Sequence, residues 1–213
     1  MKLSLAREIL LPALQMISGV VEKRHTMPVL SNFLLKSEGG KLTVTGTNLE
    51  VEMVATMGGI PLEGEFATTV PARKLADIFR ALPEDATVDV DLGDSRMELR
   101  AGKSHFTLAT LPAEHFPSVE PEADSVVLDL PQKSLKRLID CVAFGMAQQD
   151  VRYYLNGMLI EISPKGVKAV ATDGHRLALS MLDIETGVSE QRSIIVPRKG
   201  VLELAKLLQD SDV

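Results

Sequence analysis

The residues best suited to chemistry in this 213-residue chain lie in two short clusters. The first is Thr172-Asp173-Gly174-His175-Arg176. Read as catalysis, Asp173 would orient His175 as a general base. Read as structure, Asp-Gly is a strong signal for a two-residue hairpin turn between Val170-Ala171 and Leu177-Ala178. Neighbours in a tight turn seldom point at each other, and no serine or cysteine nucleophile motif accompanies them. The turn is the better reading, with polar side chains that can rim a pocket. The second cluster, Gln148-Gln149-Asp150-Val151-Arg152-Tyr153-Tyr154, holds both tyrosines of a chain without tryptophan. Tyrosine, glutamine and arginine together can stack on bases and bond phosphates. The alternative is a helix-to-strand loop whose tyrosines brace the core. In the first half of the chain Lys23, Arg24 and His25 occupy the matching loop.

Other chemistries lack their signatures. There is no Walker-type phosphate loop, no GxGxxG after a strand, no HExxH, no paired CxxC and no acidic calcium loop. His25, His105, His115 and His175 are scattered without ligand spacing. No catalytic residue, metal or cofactor is therefore expected. Cys141, the single cysteine, cannot form an internal disulfide, and beside an apolar stripe it reads as a small buried hydrophobe.

The elements that must carry these clusters occur twice, about 125 residues apart. Leu10, Ala13, Leu14 and Ile17 make one helical stripe, matched by Leu135, Leu138, Ile139 and Val142. Leu75, Ile78, Phe79 and Leu82 make another, matched by Val201, Leu204, Ala205 and Leu208. Each copy is expected to open with a short strand, Lys2–Leu5 and Val126–Leu130, followed by a helix. Strands follow at Val29–Ser37, Lys41–Thr47 and Glu50–Met57, with counterparts at Tyr153–Ile162, Val167–Ala171 and Arg176–Leu182. Phe66–Val70 then feeds the second helix. Gly39-Gly40 and Pro164-Lys165-Gly166 are equivalent hairpin turns. Only the first copy continues, into strands Thr87–Leu92, Arg96–Ala101 and His105–Thr110. The second stops short, which suggests a fragment or the start of a longer product. Between them, the stretch from Pro112 to Ser125 is proline-rich and acidic, and reads as a stiff linker.

Charge is distributed unevenly. The net value is −6, yet residues 7–24, 71–82, 131–146 and 197–209 carry +1, +2, +2 and +2, leaving −13 elsewhere. Helices that share one side would present a positive surface on an acidic protein, attracting a polyanion locally. No run reaches the roughly 18 to 20 apolar residues of a membrane span. No signal peptide is recognisable either, and a cytoplasmic protein is expected.

MPVLSNFLL, VPARKL, QQDVRYYLNGM, ATDGHRLA and IVPRKG, in that order, resemble the bacterial sliding-clamp family, the beta subunit of the replicative DNA polymerase. The likeness runs the length of the chain. It implies an α+β fold of tandem clamp domains, antiparallel sheets outside and helices lining the inner face, in a ring of two three-domain subunits around duplex DNA. Domain 1 would span 1–120, a linker 121–125, and domain 2 would begin at 126 and be incomplete at its carboxyl end, with domain 3 absent. By position, the resemblance makes Arg24, Arg73, Gln149, Tyr153 and Tyr154 DNA-facing, with Arg80, Arg137, Arg198 and Lys199 as further channel charges. A pocket for short motifs of polymerases, clamp loader and repair proteins would use Arg152, Leu155, Thr172, Gly174, His175, Arg176 and Leu177. Subunit contact would use Lys74, Ile78 and Leu82, with Arg96, Lys103 and Phe106 nearby, turning Ile78 and Leu82 toward a partner instead of their own sheet. A peptide-binding scaffold without nucleic acid, or an enzyme using Asp173 and His175, are the alternatives.

Overall fold

Leu3 and Leu5 alternate with polar neighbours in strand β1 (Lys2–Ala6), and the stripe Leu10, Ala13, Leu14 and Ile17 lies on helix α1 (Arg7–Ser18). All six side chains are buried. The computed structural model describes residues 2–22, 27–60, 64–117 and 127–209. Two compact units are present, Met1–Val119 and Glu120–Val213.

In the first unit α1 leads to β2 (Asn32–Glu38), β3 (Lys41–Thr47), β4 (Glu52–Met57) and β5 (Phe66–Pro71). Helix α2 (Ala72–Ala81) follows, then β6 (Thr87–Leu92), β7 (Arg96–Ala101), β8 (Ser104–Ala109) and β9 (Leu111–Pro112). They form two antiparallel sheets, ordered β1-β6-β7-β8 and β4-β3-β2-β5-β9. The β2–β3 hairpin turns through Gly39 and Gly40, both at positive φ, which only glycine adopts without steric cost. Leu14, Ile17, Phe33, Leu75, Phe79 and Met97 are almost wholly buried in one shared core, each worth about 1.5–3 kcal/mol of transfer free energy. Arg7 ties the helices together, donating from Nε to the Phe79 carbonyl at 2.9 Å and from its backbone N–H to Ala86 at 2.8 Å.

The second unit contains helix α3 (Gln132–Asp140), strands β10 (Gly157–Ser163), β11 (Gly166–Thr172), β12 (Leu177–Asp183) and β13 (Arg192–Pro197), and helix α4 (Arg198–Leu207). Its sheet is antiparallel in the order β12-β11-β10-β13. Leu138, Ile139, Val142, Met146, Met158 and Val201 form the core, with Leu135, Leu204, Ala205 and Leu208 partly buried against it. Both halves of the stripe pattern therefore face their own sheets.

A small residue lets helix and sheet approach in each unit, from opposite sides. A Cβ on Gly46 of β3 would sit 2.5 Å from the Ile17 Cγ2 atom of α1. At the equivalent position β11 carries Ala171, and Gly145 is the glycine, where a Cβ would lie 2.9 Å from the Ala171 carbonyl oxygen.

Several sequence expectations are corrected. Residues 127–130 form no strand, and Val126 lies outside the described residues. In the first unit β1 is held by β6, and no strand among the described residues after α4 does that for the second. The strands expected from Val29 and Tyr153 begin later, because Pro28–Ser31 and Tyr153–Asn156 wind into single 3-10 turns. β9 and the 3-10 turn Ala113–His115 belong to the first unit rather than to a linker. Phe116 is buried there with Val29 and Leu30. Residues 118–126, with the rest of the expected linker, lie outside the described residues. Cys141 is exposed, since α3 ends one residue earlier and the following turn directs Val142 inward in its place. Leu82 is buried in its own unit's core and does not face outward; Ile78 is half-buried against that core.

Candidate functional site

The loop between α3 and β10 is tied across by Asn156 and Asp150. The Asn156 amide accepts from the Asp150 backbone N–H and donates to the Asp150 carbonyl, both at 2.9 Å. Asp150 in turn binds Arg152 three times: its Oδ1 accepts the Arg152 backbone N–H at 2.8 Å and Nε at 3.0 Å, and Oδ2 accepts Nη2 at 2.9 Å. These bonds, the guanidinium foremost, draw the Asp150 pKa down to about 2 and raise that of Arg152. With its middle fixed, the loop carries Gln149 at φ +57 and leaves Tyr153 and Tyr154 exposed. Their rings meet edge to face at 5.9 Å, and Tyr153 is 84% exposed, so the tyrosines do not brace the core.

The turn joining β11 to β12 is a four-residue loop, because Thr172 pairs with Leu177 across it. This corrects the two-residue turn expected from Asp-Gly. Thr172 Oγ1 accepts from the Gly174 N–H at 3.1 Å and donates to the Arg176 carbonyl at 2.7 Å. Asp173 accepts the backbone N–H groups of His175 and Arg176, each at 3.0 Å, and Arg176 Nε at 2.9 Å. These bonds lower the Asp173 pKa, the backbone N–H of His175 first. The carboxylate therefore organises a turn, holding the His175 backbone rather than orienting its ring as a base.

The two loops meet. A Cβ at Gly174 would lie 2.9 Å from Arg152 Nη2, so the guanidinium rests on bare backbone where any side chain would displace it. His175, Arg176, Gln148, Asp150 and Arg198 line a depression of about 320 Å³. Phe144, which the sequence reading passed over, forms part of its wall and stacks its ring 5.6 Å from the Arg176 guanidinium. Its signal was an aromatic just past a basic helix. Leu155 is buried in the 3-10 turn after Arg152 and Leu177 is exposed at the start of β12, and neither lines that depression. Sequence-predicted pocket residues Arg152, Leu155, Thr172, Gly174, His175, Arg176 and Leu177 thus come from two adjoining loops of one unit.

The remaining predicted cations stand on helices. Arg73, Lys74 and Arg80 are exposed on α2, and Arg137 is exposed on α3. Arg198 and Lys199 open α4 half-buried, and Arg198 Nη1 donates to the Met146 carbonyl at 3.3 Å. Arg24 lies outside the described residues. Arg96 on β7 and Lys103 in the β7–β8 turn are exposed, and Phe106 on β8 is half-buried. β8 is an edge strand, so one side of its backbone is unpaired within its sheet. Glu98 on β7 lies 3.4 Å from Arg96, 3.2 Å from Arg100 and 3.5 Å from His105, and the Arg100 bond above all lowers its pKa. Among the described residues no three His, Cys, Asp or Glu side chains gather to hold a metal, and no helix is long and apolar enough to cross a membrane.

Comparison with known proteins gives one answer across the chain. Residues 1–120 match the family of the DNA polymerase III beta subunit, N-terminal domain, and residues 129–213 that of its central domain. The chain is 51% identical over 217 residues to the beta sliding clamp of Pseudomonas putida and 49% identical over 212 residues to that of Escherichia coli K12. In both cases all of the chain is covered, and it spans 58% of the relative's length. The crystal structure of the DNA polymerase III subunit beta from Pseudomonas aeruginosa superimposes with a TM-score of 0.94 at 49% identity, covering 100% of this chain and 58% of that one. A Pseudomonas aeruginosa sliding clamp bound to griselimycin gives 0.92, with 100% and 57% covered. The clamp from Caulobacter crescentus gives 0.90 at 38% identity, with 98% and 57% covered. The tandem α+β units described above are those of the DNA polymerase III beta subunit family, to which this chain belongs.

Proposed function

We propose that the chain supplies two domains, 1–120 and 126–213 joined by 121–125, of a DNA sliding clamp. Such a clamp is a non-catalytic processivity factor that encircles duplex DNA in the cytoplasm and tethers the replicative polymerase. The observation that carries this reading is a set of basic helices in both units: α2, α3 and α4 bury one face in their own sheets and turn Arg73 and Arg80, Arg137, and Lys206 respectively to solvent. Positive helices on an acidic chain attract phosphate without reading bases. The resemblance adds Gln149, Tyr153 and Tyr154, with Arg24, Arg198 and Lys199, as further candidates for phosphate contact.

Arg152, Leu155, Thr172, Gly174, His175, Arg176 and Leu177 form the pocket for short peptide motifs of polymerase, clamp loader and repair proteins. A buried leucine, Leu155, and an exposed one, Leu177, beside the polar groups of the two loops suit a peptide tail. The griselimycin-bound relative is in keeping with a ligand site on such a clamp. Subunit contact to a second copy runs along edge strand β8, where Phe106, Arg96 and Lys103 join Lys74 and Ile78, while Leu82 stays in the core of its own unit.

Retention on DNA is the test. Full-length protein loaded on closed circular duplex remains bound at salt that disrupts simple charge binding, and leaves once the circle is cut. Equal loss from circles and linear DNA would rule out encirclement.

A further inference from the structure

On α2 one carboxylate serves two arginines. Asp77 Oδ1 accepts from Arg80 at 2.7 Å, and its Oδ2 lies 3.8 Å from Arg73 Nε. Residues 73, 77 and 80 fall at i, i+4 and i+7, so all three stand on one stripe, opposite the buried Leu75 and Phe79. Together with Ser18 and Ala76 they line a solvent-open depression of about 320 Å³ between α1 and α2.

The ion pair recurs, although the second acid, Glu203, is buried where Asp77 is exposed. Shifted by 126 residues, Asp77 and Arg80 become Glu203 and Lys206, paired on α4 at 2.7 Å. The acid is the sixth residue of a ten-residue helix in both units. Both side chains have changed type between the copies, and the pairing has not. An acid serving the helix dipole would stand in the first turn, where neither α2 nor α4 has one. An i, i+3 pair adds little to helix stability on its own, and that role needs no second arginine.

We propose that Asp77 is a resident competitor for DNA phosphate, holding Arg73 and Arg80 partly neutralised so that α2 attracts the duplex without fixing it. This rests on the reading of α2 as a DNA-facing helix. A phosphate reaching either guanidinium must displace, or share it with, a carboxylate tethered on the same helix. Each contact then gains less than a free arginine would give, and it exchanges readily as the duplex moves past. Long-range attraction survives, because α2 carries Arg73, Lys74 and Arg80 against Asp77, even with the Glu22 carboxylate lining the same depression.

The test is equilibrium binding of the chain to a labelled mixed-sequence duplex at low salt, followed across a salt series by fluorescence anisotropy. Asp77→Asn binds on the order of threefold tighter, as expected when weak exposed ion pairs are released. Its log–log salt slope steepens by about 0.9, one added phosphate contact. Asp77→Ser, which lacks the carboxylate and the amide, does the same. Asp89→Asn on β6 changes net charge equally and has less than half the effect. In an Arg73→Gln/Arg80→Gln background, itself weaker than wild type, Asp77→Asn has none. Unchanged or weaker binding by both Asp77 variants overturns the proposal, as does an equal gain from Asp89→Asn. If the double arginine variant binds DNA like wild type, the DNA-facing reading of α2 fails, and the proposal with it.

Discussion

Thr47 and Thr172, 125 residues apart, hold the same turn with the same atoms. Each hydroxyl accepts from the N–H two residues on, Leu49 or Gly174, and donates to the carbonyl four residues on, Val51 or Arg176. The residue after each threonine repeats the match. Asn48 and Asp173 both accept the next two available backbone N–H groups through Oδ1. The duplication thus extends from apolar spacing down to single hydrogen bonds, and one of these paired turns carries the candidate pocket.

The third position separates the two copies. Leu49 sits at φ +75, where a side chain is strained, and the equivalent Gly174 sits at φ +89 without penalty. Leu49→Gly is expected to stabilise the chain by about 0.5–1 kcal/mol, since Leu49 is half-exposed and little burial is lost. Urea unfolding measures this; a loss of stability would show that the leucine packs more than it strains.

Gly174→Ala should act in the opposite direction. It adds left-handed strain and brings a methyl to 2.9 Å from Arg152 Nη2, so a destabilisation of about 1–2 kcal/mol is expected. A polymerase-derived peptide should also bind more weakly as the guanidinium shifts. Unchanged stability and peptide affinity would separate Arg152 from the pocket.

The Asp150–Arg152 bond gives a pH signature. With its pKa held near 2, Asp150 stabilises the fold at pH above its usual value near 3.8, and that contribution is lost as pH falls through 2. Carboxyl-resolved NMR titration should find its midpoint near 2 in the wild-type chain. In Arg152→Ala it should move up toward 3.8. A midpoint unaffected by that substitution would mean that the guanidinium is not the cause.

At the close approach of helix side and sheet, Gly145→Ala forces a Cβ against the Ala171 backbone carbonyl, which has no rotamer to yield. Gly46→Ala meets the Ile17 side chain instead. Each costs about 1–3 kcal/mol by overpacking. Ile17→Val should recover part of the loss for Gly46→Ala. Rescue is measured by comparing Tm across the single and double variants, and its absence would place the strain elsewhere.

How much of this was legible in the sequence depends on how local the cause was. The helical stripes from Leu10 to Ile17 and from Leu75 to Leu82 follow from spacing alone, because a 3.6-residue period has only one way to put those side chains on one face. Strands β3, β6 and β7 have the expected boundaries for a similar reason: alternation and flanking turn residues are read within a few positions. The residues of the two polar clusters were also visible as composition.

Their assembly was not visible. Arg152 and Gly174 are 22 residues apart (174 − 152), and they touch because the β10–β11 hairpin folds their loops to the same end of the sheet, a contact that no local window contains. Whether 127–130 becomes a strand depends on a partner like β6, not on its own residues. Cys141 and Leu82 show the same limit at helix ends, where the direction in which the chain leaves the last turn decides which side chain is buried. The sequence by itself determined the repeat, the element types and the excess of cations on helices. Tertiary structure decided which loops meet, which carboxylate holds which arginine, and which apolar residues are left outside, because those depend on distances set by packing rather than by position along the chain.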